Sequence, residues 1–148
     1  MSVSQLTQLY DDDVYTWAMR NAELLRQGRF DQIDVEHIAE EIESVGKSER
    51  RELENRLIVL LTHLLKWRSQ PGRRGRSWRA TIKEQRRRVA GVLRTNPGLR
   101  PLLDEILDEA YQSARLVASR ETDLDEATFP EVCPYAFEDV LADEFWPD

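Results

Sequence analysis

The sequence predicts an all-α protein, an antiparallel bundle of four to five helices with a C-terminal aromatic arm that carries a short helix. Three observations support this fold class. Four segments place apolar residues at helical three- and four-residue spacing, glycine and proline separate these segments, and no stretch alternates apolar and polar residues as a half-buried strand would. With 148 residues, of which 41% are hydrophobic, the chain is expected to form a single helical domain, 1–148.

The first predicted helix follows a flexible N-terminus at residues 1–10 and runs from about Asp12 to Gln27. The three aspartates at positions 11–13 suit the positive end of a helix dipole. Gly28 is a natural C-terminal cap, because glycine adopts the left-handed conformation without steric cost. One amphipathic helix is therefore expected before residue 28.

The second helical segment starts at Asp34, a good N-cap, and reaches about Arg68. Its apolar pattern is interrupted at Gly46, which weakens a helix, and Ser48 could cap a new one. The sequence leaves open whether residues 34–68 form one kinked helix or two helices.

The last two predicted helices are bounded by prolines and glycines. Ser77 is expected to cap the third helix, which ends at residues 96–98, Asn-Pro-Gly. The fourth helix is expected to begin near Leu99, to tolerate Pro101 in its first turn and to end near Arg120. Short connections between long amphipathic helices favour antiparallel neighbours and hence a bundle.

Residues 122–148 form the predicted C-terminal arm, which is rich in aromatic and proline residues. Aromatic side chains at this density are expected to leave water, so the arm should pack on the bundle with one short helix at about Tyr135–Ala142. Docking of the arm on a partner chain is the alternative. The aromatic residues are Phe129, Tyr135, Phe137, Phe145 and Trp146.

Several phrases along the chain resemble the bacterial family called "domain of unknown function 29". The resemblance covers about Leu9 to Trp146 and implies an all-α fold and a bacterial source. It brings no activity, cofactor or catalytic residue. The phrases are Tyr10-Asp-Asp-Asp-Val-Tyr-Thr-Trp17, Ile38-Ala-Glu-Glu-Ile-Glu-Ser-Val-Gly46, Leu64-Leu-Lys-Trp67, Ser77-Trp-Arg-Ala-Thr-Ile-Lys-Glu-Gln85 and Phe129-Pro-Glu-Val-Cys-Pro-Tyr135.

Charge is separated along the chain. Residues 1–46 hold ten acidic and three basic residues, a net charge of −7. Residues 47–100 hold four acidic and sixteen basic residues, a net charge of +12. Residues 101–148 hold fourteen acidic and two basic residues, a net charge of −12. The basic middle segment, residues 66–94, is therefore a candidate surface for a polyanion or an acidic partner. The alternative is that the acidic flanks neutralise it within the fold, which the sequence pI of about 5.0 favours.

The candidate binding residues of the basic middle segment lie in a loop and on the third predicted helix. Arginine is suited to phosphate and carboxylate groups because its guanidinium donates several hydrogen bonds in a fixed plane. A tryptophan beside the arginines could stack on a base or pack in the core. The candidates are Arg73, Arg74, Arg76, Trp78, Arg79, Lys83, Arg86 and Arg87.

A metal-dependent bundle enzyme is the alternative function. His37 and Glu41 lie four residues apart on one side of a helix, and His63 is the other histidine of the chain. Structural roles compete with this interpretation: an ion pair at a helix edge for His37, and a mostly buried, hydrogen-bonded ring for His63. Cys133 lies in a turn bounded by proline and has no adjacent base.

We therefore expect a non-enzymatic binding module that acts on a protein partner or a nucleic acid, with no cofactor. A structural accessory subunit is the third hypothesis, and a homo-oligomer remains open. The lone Cys133 suits a reducing compartment, and neither a secretory signal nor a membrane-spanning run is visible, so the cytoplasm is the expected location.

Overall fold

The computed structural model describes all residues from Met1 to Asp148. The α- and 3-10 helices together cover 80% of the chain and there is no strand, so the predicted all-α fold is confirmed. None of the helices combines the length and the apolar character that crossing a membrane requires. The contacts within the chain define two compact units, Met1–Ser48 and Glu49–Asp148, where one domain was expected.

The first unit begins with α1, Val3–Asp12, where a flexible segment was expected at residues 1–10. The prediction was wrong because a capping box starts a helix at the first residues. Ser2 Oγ accepts from the Gln5 amide at 3.1 Å, and Gln5 Oε1 accepts from the Ser2 amide at 2.8 Å. This reciprocal capping box stabilises the first turn of a helix, and Leu6 is the buried apolar residue of α1.

The second helix, α2, spans Val14–Arg26 and follows α1 after a single residue, Asp13. The Asp13 carboxylate accepts hydrogen bonds from the amide and hydroxyl of Thr16, at 3.1 and 2.6 Å. Gly28 ends the helical run with a positive φ of 73°, which confirms the predicted glycine cap.

The third helix, α3, is continuous from Val35 to Ser69, which answers the question raised at Gly46. Glycine inside a helix costs about 1 kcal/mol relative to alanine, a cost that a 35-residue helix tolerates. Asp34 precedes α3, and its Oδ1 accepts from the His37 amide at 3.4 Å, as expected of an N-cap residue.

Three further helices complete the second unit. α4 spans Arg76–Thr95 and begins after Gly75, so Ser77 lies in the first turn and not at the expected cap position. α5 spans Leu103–Thr122; residues 97–102 form a 3-10 turn where the fourth helix was expected to begin. α6 is short, Phe137–Leu141.

Contacts within the second unit fix the directions of its long helices. Glu49 accepts from Asn96 at 3.0 Å, and the Arg79 guanidinium lies 5.5 Å from the Trp67 ring, so α3 and α4 are antiparallel. Arg50 lies 3.5 Å from Glu105, and Lys66 lies 3.0 Å from Glu121, so α3 and α5 are parallel. The expected bundle is therefore refined to three long helices, with α4 antiparallel to both others.

The C-terminal arm packs on this three-helix bundle, as expected. Phe129, Tyr135 and Val140 belong to the same buried cluster as residues of α3, α4 and α5. Phe145 and Trp146 pack against that cluster while remaining partly exposed. The arm thus covers one side of the bundle and ends beside α4.

Candidate functional site

A basic groove lies between α4 and the C-terminal arm. Its volume is about 730 Å³. α4 contributes Arg79, Lys83, Arg86, Arg87 and Ala90, and the arm contributes Leu141, Asp143 and Trp146. We call this feature the basic groove.

The positive charge of the basic groove comes from a single stripe of α4. Arg79, Lys83 and Arg87 follow one another at four-residue spacing, which places them on one side of the helix. All three side chains are exposed. The ion pair that α4 forms joins Arg88 to Glu84, so these three cations have no carboxylate partner. The groove therefore presents unneutralised cationic groups to solvent.

Arg86 lies beside this stripe but has a different role. Its side chain is 3% exposed, and its guanidinium donates to the carbonyl oxygens of Val140, Asp143 and Phe145 at 2.8, 3.4 and 2.6 Å. Burial lowers the pKa of Arg86, whereas the nearby Asp143 and Glu144 act in the opposite direction. The guanidinium stays protonated and holds the arm against α4 by hydrogen bonds.

Trp146 forms the wall of the basic groove at the end of the arm. Its ring lies 4.7 Å from that of Trp67. The guanidinium groups of Arg79 and Arg86 lie 5.2 and 5.3 Å from the Trp146 ring centre. These distances are within the range of cation–π contacts, so the indole ring helps to hold Arg79 at the rim of the groove.

The remaining predicted binding residues divide into two groups. Arg73 is exposed in the loop that precedes α4, and Arg76 is exposed at the first position of α4. Arg74 donates to the carbonyl oxygens of Trp67 and Pro147, at 2.7 and 3.4 Å, and so joins the loop to the arm. Trp78 packs against the core with the Lys66 ammonium 5.1 Å from its ring.

Internal neutralisation applies to only part of the basic middle segment. Lys66 pairs with Glu121 of α5, and Arg88 pairs with Glu84 of its own helix. Arg74 and Arg86 are satisfied by carbonyl oxygens, which carry no net charge. The acidic arm therefore covers the basic helix mainly with backbone and aromatic groups, and most of the positive charge persists.

Sequence reasoning missed the arm's contribution to the groove. Asp143 and Trp146 line it, although the sequence suggested only that aromatic residues of the arm would pack. The available signal was the position of Trp146 between Phe145 and Pro147, which indicated that its ring would pack against the protein. Nothing in the sequence indicated which helix this tryptophan would contact.

His37 belongs to a polar cluster in the first unit. Its Nδ1 lies 2.7 Å from Asp34 Oδ2, and the same oxygen accepts from Trp17 Nε1 at 2.9 Å. The Tyr10 ring stacks on the imidazole at 4.0 Å, and the Tyr10 hydroxyl donates to Glu41. The cluster therefore connects α1, α2 and α3 through side chains.

The His37–Asp34 pair predicts a pH-dependent stability of the first unit. The hydrogen bond to Asp34 raises the pKa of His37 above its usual 6.5. Burial opposes ionisation of Asp34, but the hydrogen bonds from Trp17 and His37 outweigh it and keep the pKa below the usual 3.8. The contribution of His37 to the free energy of unfolding is therefore complete below pH 6.5, and it is lost as the pH rises through the folded-state pKa of His37. The contribution of Asp34 to the free energy of unfolding is present above pH 3.8, and it is lost as the pH falls through the folded-state pKa of Asp34.

The measurement is urea unfolding of the wild type and of His37→Gln at about pH 5 and about pH 8. We expect the wild type to exceed the variant in stability by more at the lower pH. An equal difference at both pH values would show that the imidazole is not charged in this contact.

His63 is largely buried but keeps some contact with solvent, which agrees with the expectation of a mostly buried ring. Its Nδ1 lies 2.8 Å from the carbonyl oxygen of Val59, one turn earlier in α3. Burial is the main cause that lowers the pKa of His63, and the nearby Lys66 acts in the same direction. The ring lies at the edge of the buried stripe, since Thr62 and Leu64 beside it are buried.

The proposed metal ligands are not assembled into a site. A metal centre from His37, Glu41 and His63 required the chain to fold back near Gly46, and α3 is continuous there. No group of three or more histidine, cysteine or acidic side chains has the arrangement of a metal site. Cys133 is half-buried, and burial raises the pKa of its thiol.

Comparison with known proteins places the chain in a family without naming an activity. No curated protein and no solved structure matches it. A family model matches residues 9–146, which cover most of both units and the basic groove. The resemblance suggested by the sequence is thereby confirmed, and the chain belongs to the family described as "Domain of unknown function DUF29".

Proposed function

We propose that this protein is a helical binding module whose basic groove binds an acidic segment of a partner protein. The observation that carries the proposal is the stripe of three exposed cations, Arg79, Lys83 and Arg87, without carboxylate partners. Unpaired exposed cations in a concave site favour anionic ligands, because the flanking low-dielectric surface strengthens the local field.

The dimensions of the basic groove favour a short acidic segment. Arg87 follows Arg79 by eight residues, so the stripe is about 12 Å long. That length suits two or three carboxylate side chains of an extended or helical segment. Bidentate hydrogen bonding between guanidinium and carboxylate groups would fix its position.

Several features disfavour a nucleic acid as the main ligand. The chain has a net charge of −7, and Asp143 lies in the groove. A nucleic acid extends its phosphates far beyond 12 Å and would meet the acidic arm beside the groove. Trp146 packs on Trp67 and has two guanidinium groups within cation–π distance, so its ring already has partners that a stacked base would have to displace.

The expected setting is the bacterial cytoplasm, which the lone cysteine and the family resemblance favour. The enzyme alternative has less support, because the residues on which it depended contact Asp34, Tyr10 and Val59. We therefore assign binding to the basic groove and a structural role to the His37 cluster.

The test uses a fluorescently labelled twelve-residue peptide rich in glutamate and a single-stranded oligonucleotide of twelve nucleotides. Reversal of the three groove cations, R79E/K83E/R87E, is expected to weaken peptide binding at least about tenfold, because attraction becomes repulsion. The control R120E changes an exposed arginine of α5 outside the groove and is expected to leave the affinity within about twofold.

Two results would count against the proposal. Tighter binding of the oligonucleotide than of the peptide would assign the groove to nucleic acid. Equal losses for the single reversals K83E and R120E, which change the net charge by the same amount, would indicate a response to net charge alone, with no site in the groove.

A further inference from the structure

The first unit exposes an unusual amount of apolar surface. Ten of the twelve large hydrophobic residues that are exposed in the chain lie in residues 1–48, whereas only Leu6 and Trp17 are buried there. Monomeric proteins rarely leave a contiguous apolar surface open to water, and such surfaces commonly mark an interaction site. The exposed set in this unit is Met1, Val3, Val14, Tyr15, Met19, Leu25, Phe30, Val35, Ile42 and Val45.

Part of this surface forms a groove between α2 and the N-terminal part of α3. Its volume is about 300 Å³. Ala18, Ala22 and Leu25 line it from α2, and Ile38, Ile42 and Val45 line it from α3. We call this feature the apolar groove; it lies wholly within the first unit.

The two sides of the apolar groove carry the same pattern. On each helix the three residues are separated by four and then three positions, which is the spacing of a helix face that packs against another helix. Ile42 and Val45 are each 67% exposed, and every residue from 39 to 49 of α3 is exposed. Two helices therefore present a paired apolar stripe with no third helix on it.

The negative charge around the apolar groove indicates the charge of the partner that would bind there. Residues 1–48 hold ten acidic and four basic residues, a net charge of −6. Glu41 lines the groove, whereas Glu36 and Glu43 lie on the other side of α3 and contribute only to the net charge of the unit. A second copy would bring two acidic faces together, which costs free energy through like-charge repulsion. A cationic partner would gain attraction from the same groups.

We propose that the apolar groove binds an amphipathic helix of a partner protein whose polar side is rich in lysine and arginine. The apolar side of that helix would cover Ile42 and Val45, and its cations would lie near Glu41 at the edge of the groove. This site is independent of the basic groove. The protein would then carry two surfaces of opposite charge preference.

The test uses two labelled 18-residue peptides with the same amphipathic leucine pattern, one with lysine and one with glutamate at the polar positions. Both peptides are titrated into R79E/K83E/R87E, because the basic groove of the wild type would itself bind the glutamate peptide. We expect the lysine peptide to bind this variant in the micromolar range and the glutamate peptide to bind it at least about tenfold more weakly. The variant I42Q/V45Q removes apolar contact without changing charge, and is expected to weaken binding of the lysine peptide at least about tenfold. These positions are exposed, so the variant is expected to fold.

Two controls separate this site from other effects. L116Q alters an exposed leucine of α5 and is expected to leave lysine-peptide binding unchanged. R79E/K83E/R87E, which disables the basic groove, is also expected to leave lysine-peptide binding unchanged. Failure of one site is therefore distinguishable from failure of the other.

Three results would overturn the assignment. The first is equal affinity for both peptides, and the second is absence of binding by either. The third is a wild-type dimer in sedimentation that I42Q/V45Q converts to a monomer, because that result would give the apolar groove to a second copy of the chain.

Discussion

Replacement of Arg86 with alanine is expected to lower the free energy of unfolding of the second unit by about 3 to 5 kcal/mol. Arg86 is 3% exposed, and its guanidinium donates to three carbonyl oxygens of the arm, those of Val140, Asp143 and Phe145. Alanine would leave these acceptors without their charged donor and would open a cavity between α4 and the arm. Urea unfolding followed by tryptophan fluorescence measures the change.

The neighbouring Arg87 provides a matched control for this change. It is exposed on the same helix, so Arg87→Ala is expected to change the free energy of unfolding by no more than about 0.5 kcal/mol. Arg86→Lys keeps the charge but cannot reach three carbonyl oxygens with one ammonium group, and we expect an intermediate loss. Equal unfolding midpoints for the two alanine variants would contradict the anchoring role of Arg86.

Replacement of Val140 with aspartate is expected to have an effect of similar size, a loss of about 3 to 5 kcal/mol. Val140 is the buried residue of α6 and is 0% exposed within the core cluster. Aspartate there would place a carboxylate among apolar side chains without a partner. The same unfolding experiment measures the loss, and heat denaturation gives an independent check.

Val132 in the same arm is the matched control. It is 75% exposed, so Val132→Asp makes the same chemical change in water and is expected to alter stability by no more than about 0.5 kcal/mol. Similar stability of the two variants would show that the arm does not belong to the core. The basic groove would then lose one of its two walls.

Much of the fold was predictable because it depends on local patterns. Apolar residues at helical spacing indicated α2 to α5 with boundaries within a few residues, apart from the start of α5. The glycine at position 28 ended a helix as expected, since its φ is positive. α1 was not predicted, although its capping box is a local signal. Its first turn has few apolar residues, and the aspartates at 11–13 indicated a helix that starts later.

The division into two units was not predictable from periodicity. α3 is one helix through Gly46, and it continues without a break across the boundary at Ser48. Ile42 and Val45 fit a buried stripe in sequence, yet both are exposed. Helical spacing shows that a face is apolar, but it does not show whether this chain or another covers it.

The candidate site was predictable in its charge but not in its construction. The excess of arginine on α4 was visible in sequence. The division of labour between Arg86, which holds the arm, and Arg87, which faces solvent, was not visible, because the partners of Arg86 are backbone carbonyl oxygens. Such acceptors occur at every residue and leave no signal in the sequence.

The central claim, that the basic groove binds an acidic segment, is tested most directly by locating the bound peptide. Titration of the isotope-labelled protein with the glutamate-rich peptide can be followed through the backbone amide signals and the indole signals of the tryptophans. We expect the Trp146 indole and the α4 amides near Lys83 to shift together and to saturate, while the amides of α1 and α2 stay unchanged. Shifts confined to other surfaces, or no saturable shift at Trp146 and Lys83, would contradict the account.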